Sequence, residues 1–199
     1  MIAIIDYGMG NLGSVEKAFA YIGFETVTTS SAAELAAAEA VVLPGVGAIR
    51  PAMEALHESG MDRAIVEYIQ SGRPFLGICL GMQVLFDSSE EGGEVAGLGV
   101  IPGRVRRFPD CGLKVPQIGW NRIGDVRHPA LTDGQYMYFV HSFYCEPSDP
   151  TAVAASTDYG LVYCSAAQKD NVLAVQFHPE KSGAQGLALL RSWAERRGF

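Results

Sequence analysis

The sequence predicts an α/β fold, an open and mostly parallel sheet flanked by helices, with an antiparallel extension in the C-terminal half. Three observations carry this expectation. Short apolar runs alternate with helix-period patterns through the first half. From about Val95 to Phe177, strand-like segments follow one another, separated by turn signals. The composition, 48% hydrophobic against 19% charged over 199 residues, supports a buried core without metals or disulfides.

Ile2-Ala3-Ile4-Ile5 is a compact apolar run of the kind that parallel sheets bury on both faces. Val15, Ala18, Phe19 and Ile22 then share one helix face, and Gly23 stops the helix. Phe24–Thr29 reads as a second strand, and Ser31-x-x-Glu34 as a capping box opening an alanine-rich helix. Ala40–Leu43 is expected as a third strand, broken by Pro44-Gly45. Ile49, Met53 and Leu56 mark one helix, and Ile65, Tyr68 and Ile69 another. Pro74–Cys79 reads as a fourth strand, followed at once by a helical run over Leu80–Phe86. The later strands are expected at Val115–Ile118, Tyr136–Phe143, Thr151–Ser156, Leu161–Ala166 and Val172–Phe177. A last helix carries Leu187, Leu190 and Ala194. No repeat or linker interrupts the chain, so one domain spanning residues 1–199 is expected.

Fifteen Lys and Arg against 22 Asp and Glu give a net charge of −7, which argues against nucleic acid as a partner. No apolar stretch approaches the roughly 18 residues of a membrane span, and the N-terminus has no signal-peptide pattern. Cys79, Cys111, Cys145 and Cys164 form no C-x-x-C pair, so no metal site and no disulfide is expected. A reducing cytosol fits this usage.

Gly77-Ile78-Cys79-Leu80-Gly81 has the form of a nucleophile elbow, placed after an apolar strand and before a helical run. The glycines permit a sharp turn that frees the Cys79 side chain, and the helix start offers the Leu80 N–H to a developing oxyanion. Cys111, Cys145 and Cys164 read as structural cysteines. A cysteine nucleophile needs a base with an orienting partner. His57 reads as a residue of a solvated helix face and His128 as a loop residue; His141 reads as strand packing or a pocket residue. His178 differs: it ends an apolar strand, Pro179 leads the chain away, and Glu180 stands two residues on. Both Cys79 and His178 fall at strand carboxyl ends, where open α/β sheets place ligands. Pro44-Gly45-Val46-Gly47 reads equally as a turn or as a source of oxyanion donors. Gly8-x-Gly10-x-x-Gly13 matches a nucleotide fingerprint, but the acidic residue expected about 20 positions on is represented only by Glu25. No cofactor is assigned.

The elbow Gly77–Gln83 together with His178-Pro179-Glu180 resembles the class I, triad-type glutamine amidotransferases, in the chain order Cys, His, Glu. Three further segments, Asp6–Leu12, Pro44–Gly47 and Val115–Asn121, with Tyr138–Phe143 and Gln176–Ser182, narrow the resemblance to the glutaminase subunits of imidazole glycerol phosphate synthases. It covers essentially the whole chain; Gln117 departs from it, standing where the family usually has histidine.

The resemblance implies that Cys79 attacks the side-chain amide of L-glutamine, His178 shuttles the proton and Glu180 fixes its tautomer. It implies oxyanion donors at Leu80, Gly45, Val46 and Gly47, and a glutamine site lined by Gln83, Ser142 and Phe143. Ammonia would pass to a (βα)8-barrel cyclase subunit that makes imidazole glycerol phosphate and an aminoimidazole carboxamide ribotide in histidine biosynthesis. Asn11, Trp120, Tyr138 and Lys181 match positions near the subunit interface. The isolated subunit would be nearly silent until the cyclase docks. Competing readings are a glutaminase of another pathway, a stand-alone cysteine hydrolase, and a non-enzymatic binding module. The Val115–Asn121 segment, the late His178-Pro179-Glu180 and the intact Cys79, His178 and Glu180 argue against these in turn.

Overall fold

A computed structural model describes residues 1–110 and 112–195. Cys111 lies outside the described residues. The first half runs β1 (Ile2–Ile5), α1 (Leu12–Tyr21), β2 (Thr26–Thr29), α2 (Ala32–Ala37), β3 (Ala40–Gly45), α3 (Ile49–Glu58), α4 (Met61–Gln70), β4 (Phe75–Cys79) and α5 (Leu80–Gln83). The second half runs β5 (Phe86–Ser89), β6 (Val95–Ala96), β7 (Ile101–Arg107), β8 (Gln117–Arg122), β9 (Tyr136–His141), β10 (Phe143–Pro147), β11 (Val153–Asp158), β12 (Val162–Lys169), β13 (Val172–Val175) and α6 (Gly183–Glu195).

The main sheet has the order β2-β1-β3-β4-β13-β12-β10-β7-β5-β6, with β11 also paired to β12. The first five strands in this order are parallel. β12, β10 and β7 then continue the sheet antiparallel. β8 and β9 form a separate antiparallel ribbon.

The apolar runs have a simple cause: their strands are buried on both faces. In β1, Ile2 and Ile4 join one core, beneath α1 and α6, while Ala3 and Ile5 join the other, beneath α2, α3 and α4. Phe19 of α1 and Trp193 of α6 meet edge to face, ring centroids 6.1 Å apart. Gly23, at φ +88°, ends α1, and Ser31 Oγ accepts from the Glu34 N–H at 3.4 Å to cap α2, both as the sequence suggests.

Four local expectations need correction. β3 does not break at Pro44 but runs through Gly45, paired with β4 at Pro44↔Ile78 and Gly45↔Cys79. Val41 N–H points to β4, so Pro44, three residues on, presents its missing N–H towards β1, and pairing with β1 stops at Val42. The helical run after Cys79 ends at Gln83; Phe86 instead opens β5, paired with β7. Tyr136–Phe143 is two strands, β9 in the ribbon and β10 in the main sheet, with the switch at Ser142. The strand expected at Val115–Ile118 starts later, at Gln117. His128 lies in a loop, as expected, but is buried, and its Nδ1 accepts from the Ala130 N–H at 3.1 Å.

Candidate active site

Cys79 is the last residue of β4 and has φ +56° and ψ −109°, a backbone state that a non-glycine residue holds only under constraint. The constraint comes from packing around the elbow. A Cβ on Gly77 would stand 2.7 Å from the Gly81 carbonyl oxygen, and a Cβ on Gly81 would overlap the Leu43 carbonyl of β3. Only glycine at both positions lets the chain turn this tightly, and Leu80 through Gln83 are buried behind it.

The parallel strand β13 lies next to β4, in register Val175↔Ile78, so the chain leaving β13 carries His178 to the same sheet edge as Cys79. His178 Nδ1 is 2.8 Å from Glu180 Oε1. Its backbone is fixed as well: the His178 N–H donates to the Tyr138 carbonyl, and the His178 carbonyl accepts from Ser182 Oγ at 2.6 Å. The other ring nitrogen, Nε2, is buried without a closed hydrogen bond, and Cys79 is its neighbour. Burial opposes charge on this ring, but Cys79 and Glu180, through hydrogen bonding and charge, outweigh it and raise the pKa to about 9.

A cavity of about 280 Å³ opens at this edge, lined by Cys79, Leu80, His178, Val46, Gly47 and Gln83, and on the other side by Val140, His141, Ser142 and Phe143. Gly45 pairs with Cys79 at the floor, and Gly47 takes φ +98°. The expected oxyanion donors thus border Cys79. Gln83 Nε2 donates to the Phe143 carbonyl at 3.3 Å and to Gln176 Oε1 at 3.0 Å. Gln176 Nε2 in turn points at Cys79 Sγ from 3.7 Å. A second depression, about 360 Å³ around Asn121, Asp125 and Asp158, contains neither cysteine nor histidine.

The four expected interface residues stand apart from this cavity. Trp120 on β8 and Tyr138 on β9 are cross-strand partners with ring centroids 6.2 Å apart. Asn11 precedes α1, Lys181 follows Glu180, and both are exposed. Gln117 is buried, with the end of its side-chain amide 3.0 Å from the Tyr163 hydroxyl. His57 sits on an exposed helix face, paired with Asp62. His141 combines both readings left open for it, a buried strand residue that also lines the cavity.

Sequence reasoning missed Glu91 and Pro116 as lining residues, and the role of Gln176 beside the thiol. Glu91 sits in a loop and reaches the cavity because its Oε2 accepts from the Ile49 N–H at 2.9 Å, capping α3. No local motif announces that contact. Gln176 did have a signal: a polar residue inside an apolar strand end, two positions before His178.

The family model for glutamine amidotransferase class-I matches residues 3–195. The chain belongs to the class I glutamine amidotransferases. As a member it is a glutamine-hydrolysing enzyme. Within the family it is 52% identical over 203 residues to the imidazole glycerol phosphate synthase subunit HisH of Geobacter metallireducens, covering 97% of both chains. Identity to the HisH subunit of Chlorobaculum tepidum is 50% over 200 residues, covering 98% of this chain and 100% of the relative. A solved glutamine amidotransferase superposes with a TM-score of 0.80 at 19% identity, each chain fully covered. Another, from Thermotoga maritima, gives 0.71 at 17% identity, covering 98% of this chain and 96% of its own. These likenesses establish the amidotransferase fold. Among the described residues no helix is long and apolar enough to cross a membrane.

Proposed function

We propose that this amidotransferase is the glutaminase subunit of an imidazole glycerol phosphate synthase, with Cys79, His178 and Glu180 as its catalytic triad. The observation that carries the triad is the meeting of a constrained Cys79 and a buried His178–Glu180 pair at one sheet edge, around a cavity of amino-acid size. The HisH relatives support the pathway.

Cys79 Sγ, its proton already held by the His178 ring, attacks the side-chain amide carbon of glutamine. Negative charge gathers on the amide oxygen, where the Leu80 N–H and the Gly45–Gly47 backbone are the donors at hand. The C–N bond then breaks. A ring with a pKa near 9 holds its proton at neutral pH and delivers it to the departing ammonia. Water, deprotonated by the same ring, cleaves the thioester and releases glutamate. Gln83, Ser142 and Phe143 orient the substrate, and the Glu91 carboxylate suits its α-ammonium.

Ammonia passes to a cyclase subunit, which forms imidazole glycerol phosphate and an aminoimidazole carboxamide ribotide in histidine biosynthesis. The outer face of the β8–β9 ribbon supports a docking role: Ile118, Trp120 and Tyr136 are more than half exposed there. Asn11, Tyr138 and Lys181 extend this surface. Cys145 and Cys164, register partners across β10 and β12, are both free thiols, which fits a cytosolic setting.

The test is glutamate release by the purified chain, alone and with a cyclase subunit and its nucleotide ligand, with Cys79→Ala as the blank. Near silence alone and strong activation in the mixture is the expected result. Equal activity in both would overturn the pathway assignment, and activity in Cys79→Ala would overturn the triad.

A further inference from the structure

Beneath the cavity wall lies a second buried polar group that the reaction does not use. His141 Nδ1 stands 2.7 Å from the Phe143 carbonyl oxygen, and its Nε2 stands 3.2 Å from the Tyr163 hydroxyl. The same hydroxyl is 3.0 Å from the end of the Gln117 amide. All three side chains are buried. Phe108 and Phe139 pack against the His141 and Tyr163 rings.

The direction of each bond follows from what its partner can do. A carbonyl oxygen only accepts, so His141 Nδ1 carries a proton. Burial, and then the nearby charge of His178, lower the pKa of His141 to about 4, so the ring is neutral and Nε2 is a bare acceptor. The Tyr163 hydroxyl is the donor beside it and has one proton to give. If that proton went to Gln117 instead, His141 Nε2 and Gln117 Nε2 would both be buried and unsatisfied. Turning the Gln117 amide so that its Nε2 faces Tyr163 satisfies both, and leaves only an amide oxygen short of a donor. The buried Thr157 hydroxyl lies near the same Tyr163 oxygen without closing a hydrogen bond.

We propose that Gln117, Tyr163 and His141 are positioning residues. They form a one-way chain of hydrogen bonds from Gln117 Nε2–H to the Tyr163 oxygen, from the Tyr163 hydroxyl to His141 Nε2, and from His141 Nδ1–H to the Phe143 carbonyl. The chain ties the inner face of the β8–β9 ribbon to the Phe143 wall of the cavity. The Phe143 carbonyl also accepts from Gln83, which bonds Gln176 beside Cys79, so the chain holds the substrate-binding wall in register with the nucleophile. A neutral His141 also keeps a second positive charge away from His178. This inference rests on the glutaminase reading above and assigns new residues to its substrate site.

Two measurements test it. Long-range ¹H–¹⁵N correlation spectra of the full chain report the His141 tautomer, and the proton is expected on Nδ1; a proton on Nε2 would overturn the proposal. Steady-state glutamate release by the chain with its cyclase is the second. Tyr163→Phe and Gln117→Glu, which respectively lose the hydroxyl and the donor, should each raise KM for glutamine about tenfold, as loss of one buried hydrogen bond does, with kcat within threefold. Gln117→His, which keeps a donor, should hold KM within threefold of the parent. An unchanged KM in either of the first two, or an equal rise in Gln117→His, would overturn the chain. A parent enzyme inactive in the complex would overturn the glutaminase reading and this inference with it, whereas an active parent with the wrong tautomer would sink the inference alone.

Discussion

Nδ1 of His178 and Oε1 of Glu180 lie 2.8 Å apart across two residues of chain, and both side chains are only 2% exposed. The other carboxylate oxygen of Glu180 is buried with no hydrogen-bond partner. Glu180 is therefore committed to the ring: removing the ring strands a buried carboxylate, and neutralising the carboxylate strands a protonated ring. His178→Ala should cost about 10³-fold or more in kcat, and Glu180→Gln about 10²-fold, because the amide still accepts from Nδ1 but no longer stabilises the imidazolium. Single-turnover glutamate release by the complex reads both values. An equal loss in the two variants would remove the distinction between base and orienter.

The same ring, whose pKa is raised by Cys79 and then by Glu180, makes stability depend on pH. The folded pKa of His178, about 9, lies above the ordinary histidine value of 6.5. The folded state thus binds a proton that the unfolded chain has already released between these values. Its stabilisation is fully present below about pH 6.5 and fades as pH rises through 9. Tm should fall by several degrees between pH 6.5 and 9.5, and Glu180→Gln should flatten that fall. Thermal melts of the two proteins across the range check it, and parallel profiles would show that another group governs the window.

The elbow predicts a fold defect rather than a catalytic one. A Cβ at position 81 would overlap the Leu43 carbonyl, a backbone atom of a central strand that cannot swing aside. Gly81→Ala should destabilise the chain by about 3 kcal/mol or more, and Gly77→Ala, whose Cβ stands 2.7 Å from the Gly81 carbonyl, by somewhat less. Urea unfolding midpoints give the comparison. By contrast Gly13→Ala, where a Cβ meets nothing within 4 Å, should change little.

What the sequence revealed and what it hid follow from how local each signal is. β1, β3 and β4 announce themselves because both faces are buried, leaving unbroken apolar runs. The same apolarity hides the boundary after Gln83, since Val84, Leu85 and Phe86 are buried whether the chain is coiled or extended. β7 alternates buried Ile101, Gly103 and Val105 with exposed Pro102, Arg104 and Arg106, but Pro102-Gly103 reads as a turn and masks the period. The residues of the proposed triad stood out because an elbow pentapeptide and a three-residue histidine motif each sit on one strand end. Glu91 and the Gln117–Tyr163–His141 group did not, because each depends on contacts 22 to 46 residues apart.

The ribbon face separates docking from folding. Trp120 is 56% exposed and meets the Tyr138 ring edge-on, while the residues that anchor β8 and β9, Gln117, Met137 and Phe139, are buried on the opposite face. Truncating an exposed side chain removes little buried area, so Trp120→Ala should move Tm by less than about 2 °C. A large aromatic at the centre of an apolar patch is, however, the kind of anchor that dominates association, so the same change should weaken cyclase binding tenfold or more. Because the catalytic cavity is untouched, glutamate release should recover towards the parent value when the cyclase is raised to saturation. Titration calorimetry and activity against cyclase concentration test the two halves separately; a Trp120→Ala chain that binds normally would move the docking surface off this ribbon.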